Sequence, residues 1–273
     1  MLSLCKKKLF LLDMDGTLYL DEELLPGAAE FLRRVRGTGG RYLYVTNNSS
    51  RGIGGYLDKL RRLGLPAEPE DFFTSVDATV LYLRERFGER ARSMRVYLAG
   101  TRSFLTQMEE AGFNVTTELE DGIELVLSGF DRELTFRKLE DVCILLGRGL
   151  PWVATNPDWV CPTWYGFVPD CGSVCEMITR ATGRRPDFVG KPEPLMARAA
   201  MALAGCAPEE TLLIGDRIYT DIACGVNAGI DTVLVLCGET SEEDLARSET
   251  KPTLAVRDLA ELAELWRLES ARN

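Results

Sequence analysis

The stretch Leu9-Phe10-Leu11-Leu12-Asp13-Met14-Asp15-Gly16-Thr17-Leu18 decides how the rest of the chain is read. Its apolar run reads as a buried strand, and Gly16 reads as the point where that strand ends. Two carboxylates sit at this end. Alternate residues of an extended segment point the same way, so Asp13 and Asp15 can face one pocket. In open α/β sheets ligands bind at the carboxyl ends of strands. Two neighbouring carboxylates also tend to split their proton affinities, which suits one to attack and the other to carry a proton. Asp-Gly is equally a common turn pair, so these residues alone leave a turn and a site both open.

The chain of 273 residues contains no histidine. Any acid–base or metal chemistry must therefore come from carboxylates, lysines, cysteines or hydroxyls. Apolar residues make up 45% and charged residues 27%, a globular balance with enough material for a core. The length suits one large domain or two ordinary ones. A net charge of -10 repels nucleic-acid polymers and anionic membranes. It also means that an anionic substrate needs a local cation, either a metal or a placed lysine. No apolar run reaches the ~18 residues of a membrane span. Lys6-Lys7-Lys8 is followed too soon by Asp13 to open a signal peptide. Cysteines at 5, 143, 161, 171, 175, 206, 224 and 237 form no CxxC, and reduced thiols in a cytoplasmic protein are the expectation. Cys161, Cys171 and Cys175 leave one alternative, a soft-metal loop, which the lack of histidine weakens.

Strand-like segments at 8–13, 41–46, 95–99, 124–128, 152–155, 187–190, 211–214, 231–236 and 253–256 alternate with helical patterns. The helical patterns fall near 26–36, 52–63, 76–87, 102–111, 135–147, 172–182, 194–204, 219–228 and 257–268. This alternation predicts an α/β fold with mostly parallel sheets. The near-continuous apolar runs at 8–13, 41–46, 211–214 and 231–236 suit central strands covered on both faces. Two α/β units fit the length better than one sheet of nine strands.

Three further strand ends carry polar groups. Leu212-Leu213-Ile214-Gly215-Asp216 finishes on Gly-Asp, with Asp221 five residues on. A helix cap explains Asp221 equally well, but two strands ending on carboxylates together offer the hard oxygen ligands that Mg²⁺ prefers. Val45-Thr46-Asn47-Asn48-Ser49-Ser50 runs from an apolar strand into hydroxyls and amides before a helix, a phosphate cradle or a plain cap. Gly190-Lys191-Pro192-Glu193-Pro194 holds a lysine in a restrained backbone, fit to neutralise a phosphate or simply to face solvent.

Together, and in this order, the four segments resemble the motifs of the haloacid dehalogenase superfamily. Asp13, Asp15, Gly16 and Thr17 match its first motif, Thr46 its second, Lys191 its third, and Gly215-Asp216 with Asp221 its fourth. The resemblance implies a doubly wound, parallel, Rossmann-like core. Only 28 residues separate Thr17 from Thr46, whereas 144 separate Thr46 from Lys191. The longer gap has room for an inserted α/β cap domain. The expected division is a core of 1–76 and 185–273 with a cap of 77–184. Such a cap at this place, with Ser128-Gly129-Phe130-Asp131-Arg132 and Ala154-Thr155-Asn156-Pro157-Asp158, resembles the class IIA phosphatases active on p-nitrophenyl phosphate, pyridoxal phosphate, phosphoglycolate, nucleotides or sugars.

That resemblance implies Mg²⁺-dependent hydrolysis of a small phosphorylated metabolite. Asp13 would be the nucleophile that forms an aspartyl-phosphate. Asp15 would protonate the leaving oxygen and then activate water. The Asp13 and Asp216 carboxylates and the Asp15 backbone carbonyl would hold Mg²⁺. Asp221 would orient a water of the metal shell or brace the loop. Thr46, the Asn47 backbone N–H and Lys191 would hold the phosphoryl oxygens. Family members often pair through the cap, so a homodimer formed there is also an expectation. Dehalogenases lack the second aspartate, phosphonatases use a lysine from another cap, and mutases carry caps at other positions. A non-catalytic phosphate-binding homologue remains the alternative in a different class. A cap loop near 156–174 would meet the leaving group, and it holds four aromatics in nine residues, with Trp164, Tyr165 and Asp170 as substrate-side candidates.

Overall fold

The computed structural model describes residues 2–163 and 165–272. The fold is α/β with parallel sheets, in two compact units. The first unit comprises the chain up to Thr46, Tyr56–Phe73, and everything from Lys191 onward. Its six-stranded sheet has the order Leu254–Val256, Asp231–Val235, Thr211–Gly215, Leu9–Leu12, Arg41–Thr46, Phe72–Thr74. Leu9–Leu12 pairs in parallel with Thr211–Ile214 on one side and with Arg41–Tyr44 on the other. All four of its side chains are buried, as expected for a strand covered on both faces. Phe10 anchors it against helices Ala28–Gly37 and Leu259–Ser270, meeting Phe31 edge-on at 5.7 Å and stacking on Trp266 at 5.1 Å. Burying side chains of this size stabilises the fold by about 1.5–3 kcal/mol each.

From Leu9–Leu12 the chain moves outward to one side through Arg41–Thr46, then returns to the other side at Thr211–Gly215. The strand order therefore reverses between Leu9–Leu12 and Thr211–Gly215. Their carboxyl ends flank the switch point, where the loops diverge and leave a crevice. Asp13 and Asp216 stand directly at those two ends.

The second unit comprises Asn47–Gly55 and Thr74–Gly190. Its five strands, Asp187–Phe188, Trp152–Ala154, Ile123–Ser128, Arg95–Ala99 and Asn114–Thr116, form a parallel sheet in that order. Tyr97, Val126, Phe130, Leu145, Trp152 and Ile178 build its core. Buried polar ends are satisfied there: Trp152 Nε1 donates to Ser128 Oγ, and the Tyr97 hydroxyl donates to Asp141.

The joins differ from the expected 76/77 and 184/185. Asp187–Phe188 hydrogen-bonds to Trp152–Ala154, so it edges the second sheet and not the core. Asn47–Gly55 also groups with the second unit, because its polar atoms are satisfied there. The Asn47 carbonyl accepts from Ser75 and Asn156, and Ser49 Oγ bonds Thr155. Two features anticipated as other structure also differ. The expected loop after residue 156 contains an antiparallel pair, Val160–Thr163 with Gly166–Pro169. The helix expected at 219–228 begins as a turn of π-helix, Ile218–Ile222, before Ala223–Ala228. No helix among the described residues is long and apolar enough to cross a membrane.

Candidate active site

The site is assembled at the carboxyl ends of three adjacent parallel strands. Asp13 follows Leu12, and its backbone N–H donates to the Ile214 carbonyl at 2.9 Å, which locks the two strand ends together. Asp216 follows Gly215. Thr46 ends the third strand and is buried. The Lys191 ammonium, 2% exposed, lies 2.6 Å from Asp13 Oδ1 and 2.6 Å from Asp221 Oδ1. It also donates to the Val45 carbonyl at 3.1 Å, beside Thr46. A single lysine thus ties the first, second and fourth motifs into one cluster.

Asp221 reaches this cluster from the π-helical turn. The N–H groups of Asp221 and Ile222 both donate to the Arg217 carbonyl, which widens the turn. Asp221 Oδ2 in return accepts from the Arg217 N–H at 3.1 Å. The side chain is thus a turn brace and an ion-pair partner at once.

Carboxylate oxygens of Asp13, Asp216 and Asp221 lie within 4.8 Å of one another. It is the only cluster of three or more such ligand residues among the described residues. The Lys191 ammonium alone does not neutralise three carboxylates, two of them buried. Burial pushes the Asp13 carboxyl well above the usual range, against the pull of Lys191 and with the push of Asp221 and Asp216. Burial, helped by Asp221, raises Asp216 to about 7. Burial alone would lower the pKa of Lys191, but Asp13 and Asp221 more than reverse this and keep it protonated.

A cation fits this arrangement. Asp216 Oδ2 accepts from the Glu239 N–H at 2.6 Å, while its Oδ1 is buried with no hydrogen-bond partner among the described residues. An orphaned, buried carboxylate oxygen beside two further carboxylates is a hard donor set short of positive charge. The backbone around it is made of glycines because nothing larger fits. A Cβ on Gly16 would lie 2.3 Å from Asp216 Oδ2, and one on Gly238 would lie 2.1 Å from the same atom. Gly16 also has φ of +87°, a conformation that glycine adopts without strain.

Asp15 sits apart from the three, with its side chain 39% exposed. Its only side-chain partner among the described residues is Lys59 Nζ, at 3.5 Å from Oδ1. Lys59, Gly238 and Glu239 were not anticipated from the sequence. The signal for Lys59 is its place on the apolar stripe of helix Ile53–Arg62, between Tyr56 and Leu60. The signal for Gly238 and Glu239 is the apolar strand Asp231–Val235 followed closely by another Gly-acid pair.

The remaining sequence candidates belong to the second unit. Asn47 donates its side-chain amide to Asp158 at 2.9 Å. Asp170 is buried and caps helix Cys171–Thr182, accepting from the Cys171 N–H. Tyr165 is exposed on the turn of the antiparallel pair, and Trp164 lies outside the described residues. All eight cysteines are free, and Cys171 and Cys175 lie 3.9 Å apart in the second unit's core. The soft-metal alternative finds no third ligand there among the described residues.

The chain as a whole is similar to proteins of known class. A family model for haloacid dehalogenase-like hydrolases matches residues 10–114, and a HAD-hydrolase-like model matches 188–262. The 5'-nucleotidase YutF of Bacillus subtilis is 37% identical over 252 residues, covering 92% of this chain and 96% of its own. The crystal structure of 4-nitrophenylphosphatase from Thermotoga maritima is 42% identical with a TM-score of 0.89, over 96% of this chain and 98% of that one. The glycerol phosphate phosphatase of Mycobacterium tuberculosis, solved with magnesium, is 31% identical with a TM-score of 0.88, over 96% of this chain and 78% of that one.

Proposed function

From the premise that the chain belongs to the haloacid dehalogenase-like hydrolases, as a class IIA phosphatase that hydrolyses phosphomonoesters, we propose a Mg²⁺-dependent reaction through an aspartyl-phosphate on Asp13. The observation that carries this reading is the Asp13 carboxylate held on a buried lysine beside the orphaned Asp216 oxygen. Asp13 and Asp216 would hold the metal with the Asp15 backbone carbonyl, and Asp221 would brace them. Bound Mg²⁺ would supply the further positive charge that the three carboxylates call for beside Lys191 and that a phosphoryl group in transfer requires.

The protein groups then divide the work. An Asp13 oxygen attacks phosphorus as the bond to the leaving oxygen breaks, and Asp15 gives that oxygen a proton. Asp15 next takes a proton from water, whose oxygen attacks phosphorus. The Asp13–phosphorus bond breaks, and phosphate leaves with the Asp13 carboxylate restored. Lys191, with Thr46 and the Asn47 N–H, would hold the phosphoryl oxygens. The substrate is a small phosphorylated metabolite of the nucleotide, sugar, glycolate or glycerol, or pyridoxal phosphate class. Relatives that are named a 5'-nucleotidase and a glycerol phosphate phosphatase support the nucleotide and glycerol members of this range. Turnover of 4-nitrophenyl phosphate with Mg²⁺, its loss in EDTA and its return on adding Mg²⁺ test the metal requirement. A panel of phosphomonoesters then ranks the substrates.

Two outcomes follow from the carboxylate cluster. Asp216 holds a proton up to about pH 7 in the metal-free fold, whereas an unfolded aspartate loses it near pH 4. The folded state therefore binds the extra proton between those values, and the metal-free protein loses stability as pH rises through that window. A divalent cation must displace the same proton. The rise in Tm on adding Mg²⁺ is expected to be small at pH 5.5 and to grow toward pH 8. An increment that stays constant with pH would remove Asp216 from the metal site. Gly238→Ala, which places a methyl group against Asp216, is expected to raise the Mg²⁺ concentration for half-maximal activity by about tenfold. An unchanged Mg²⁺ dependence would show that the loop yields without moving the carboxylate.

A further inference from the structure

Lys59 is a charged side chain on the wrong face of its helix. Helix Ile53–Arg62 turns Tyr56, Lys59 and Leu60 inward, and the Lys59 side chain is only 10% exposed. Burying an ammonium is costly unless specific partners meet it. Two do so here. The Tyr19 ring lies with its centroid 3.9 Å from Nζ, within the range of a cation–π contact. Asp15 Oδ1 lies 3.5 Å away, and among the described residues it is the only hydrogen-bond and ion-pair partner of that ammonium.

The same pair looks different from the side of Asp15. Its carboxylate is partly solvated, and Lys59 is its only tether among the described residues. Its backbone is better held, since Asp15 bridges Tyr19 and the Gly16 N–H donates to the Tyr19 carbonyl at 2.8 Å. Tyr19 therefore fixes both the backbone of Asp15 and the cation that faces its side chain. At 3.5 Å the ammonium acts as a point charge and not as a tight clamp. That leaves the carboxylate free to turn between a leaving oxygen and a water while staying in one sector.

We propose that Lys59, seated on Tyr19, is a positioning residue that keeps the Asp15 carboxylate aimed at the leaving oxygen. It rests on Asp15 being the proton carrier proposed above. A leaving group that needs no proton should then be insensitive to Lys59, and one that needs a proton should depend on it.

The test compares kcat/KM for 4-nitrophenyl, phenyl and 4-methoxyphenyl phosphate, three aryl esters of similar shape. This constant covers the steps up to the aspartyl-phosphate, so the shared second half of the reaction does not blur it. Lys59→Met is expected to lose about tenfold or more on 4-methoxyphenyl phosphate and under about threefold on 4-nitrophenyl phosphate. Lys59→Arg keeps a cation and is expected to recover most of that loss. Equal losses on all three esters would overturn the proposal, because a packing defect lowers them together. Asp15→Asn serves as the reference. If it fails to separate the substrates, the proton-carrier reading itself fails. If it separates them and Lys59→Met does not, only the role of Lys59 fails. Should Lys59→Met not fold by circular dichroism, Lys59→Gln carries the same comparison.

Discussion

Asp13→Asn is expected to lower kcat/KM for 4-nitrophenyl phosphate by at least about 10⁴-fold, the scale seen when a covalent nucleophile is removed. The amide keeps the shape of the carboxylate but cannot attack phosphorus or accept it. Stability should respond in the opposite direction to activity. Burial and two neighbouring carboxylates hold the Asp13 carboxyl well above its ordinary range, so its charge is a burden on the metal-free fold. Replacing it with a neutral amide in EDTA at pH 8 should leave Tm unchanged or raise it. Acid-quenched wild-type enzyme should carry a phosphoryl group on Asp13 that the variant lacks. Activity surviving the substitution would refute the covalent route.

Lys191→Met tests the other half of the cluster, with the opposite sign. Methionine fills nearly the same volume, so the main loss is charge. Removing the ammonium leaves Asp13 and Asp221 buried without their shared counter-ion. Breaking a buried pair in this way costs about 3–5 kcal/mol, because the remaining charges stay desolvated. Denaturant unfolding in EDTA should show this loss, and Mg²⁺ should recover part of it by supplying positive charge. A variant within about 0.5 kcal/mol of the parent in EDTA would mean that water already reaches the cluster. Turnover should fall as well if, as proposed, the same ammonium holds the phosphoryl oxygens.

What the sequence made legible was local and strongly patterned. The runs Leu9–Leu12 and Thr211–Gly215 are buried on both faces, so composition alone marks them as central strands. The polar residues at their ends were visible because they break those runs. Pairing over distance was harder to read. Asp187–Phe188 is two residues long, and only its partner Trp152–Ala154 decides which sheet it joins. The edge strands Phe72–Thr74 and Asn114–Thr116 are too short for any periodicity to register. Asn47 follows a core strand directly, yet its carbonyl accepts from Ser75 and Asn156, so chain adjacency pointed to the wrong unit. Asp170 looked like a loop carboxylate and is a helix cap, because capping is settled by the residues after it. The four motif segments could be read because their polar residues follow directly on apolar strands or a restrained turn. Lys59 escaped because a single lysine on an apolar stripe resembles an ordinary surface charge until its burial is known.

The central place of Leu9–Leu12 has a consequence for how the protein is made. One neighbour, Arg41–Thr46, is translated soon afterwards, but the other, Thr211–Gly215, emerges some two hundred residues later. At roughly 5–20 residues per second, that strand waits on the order of ten seconds or more with one edge open. Through that interval its backbone N–H and C=O groups invite any extended segment to pair with them. The second unit is nearly contiguous in the chain and complete by Gly190, so it can form during the wait. The carboxylate cluster can close only after that wait, because Asp216 and Asp221 are made long after Asp13.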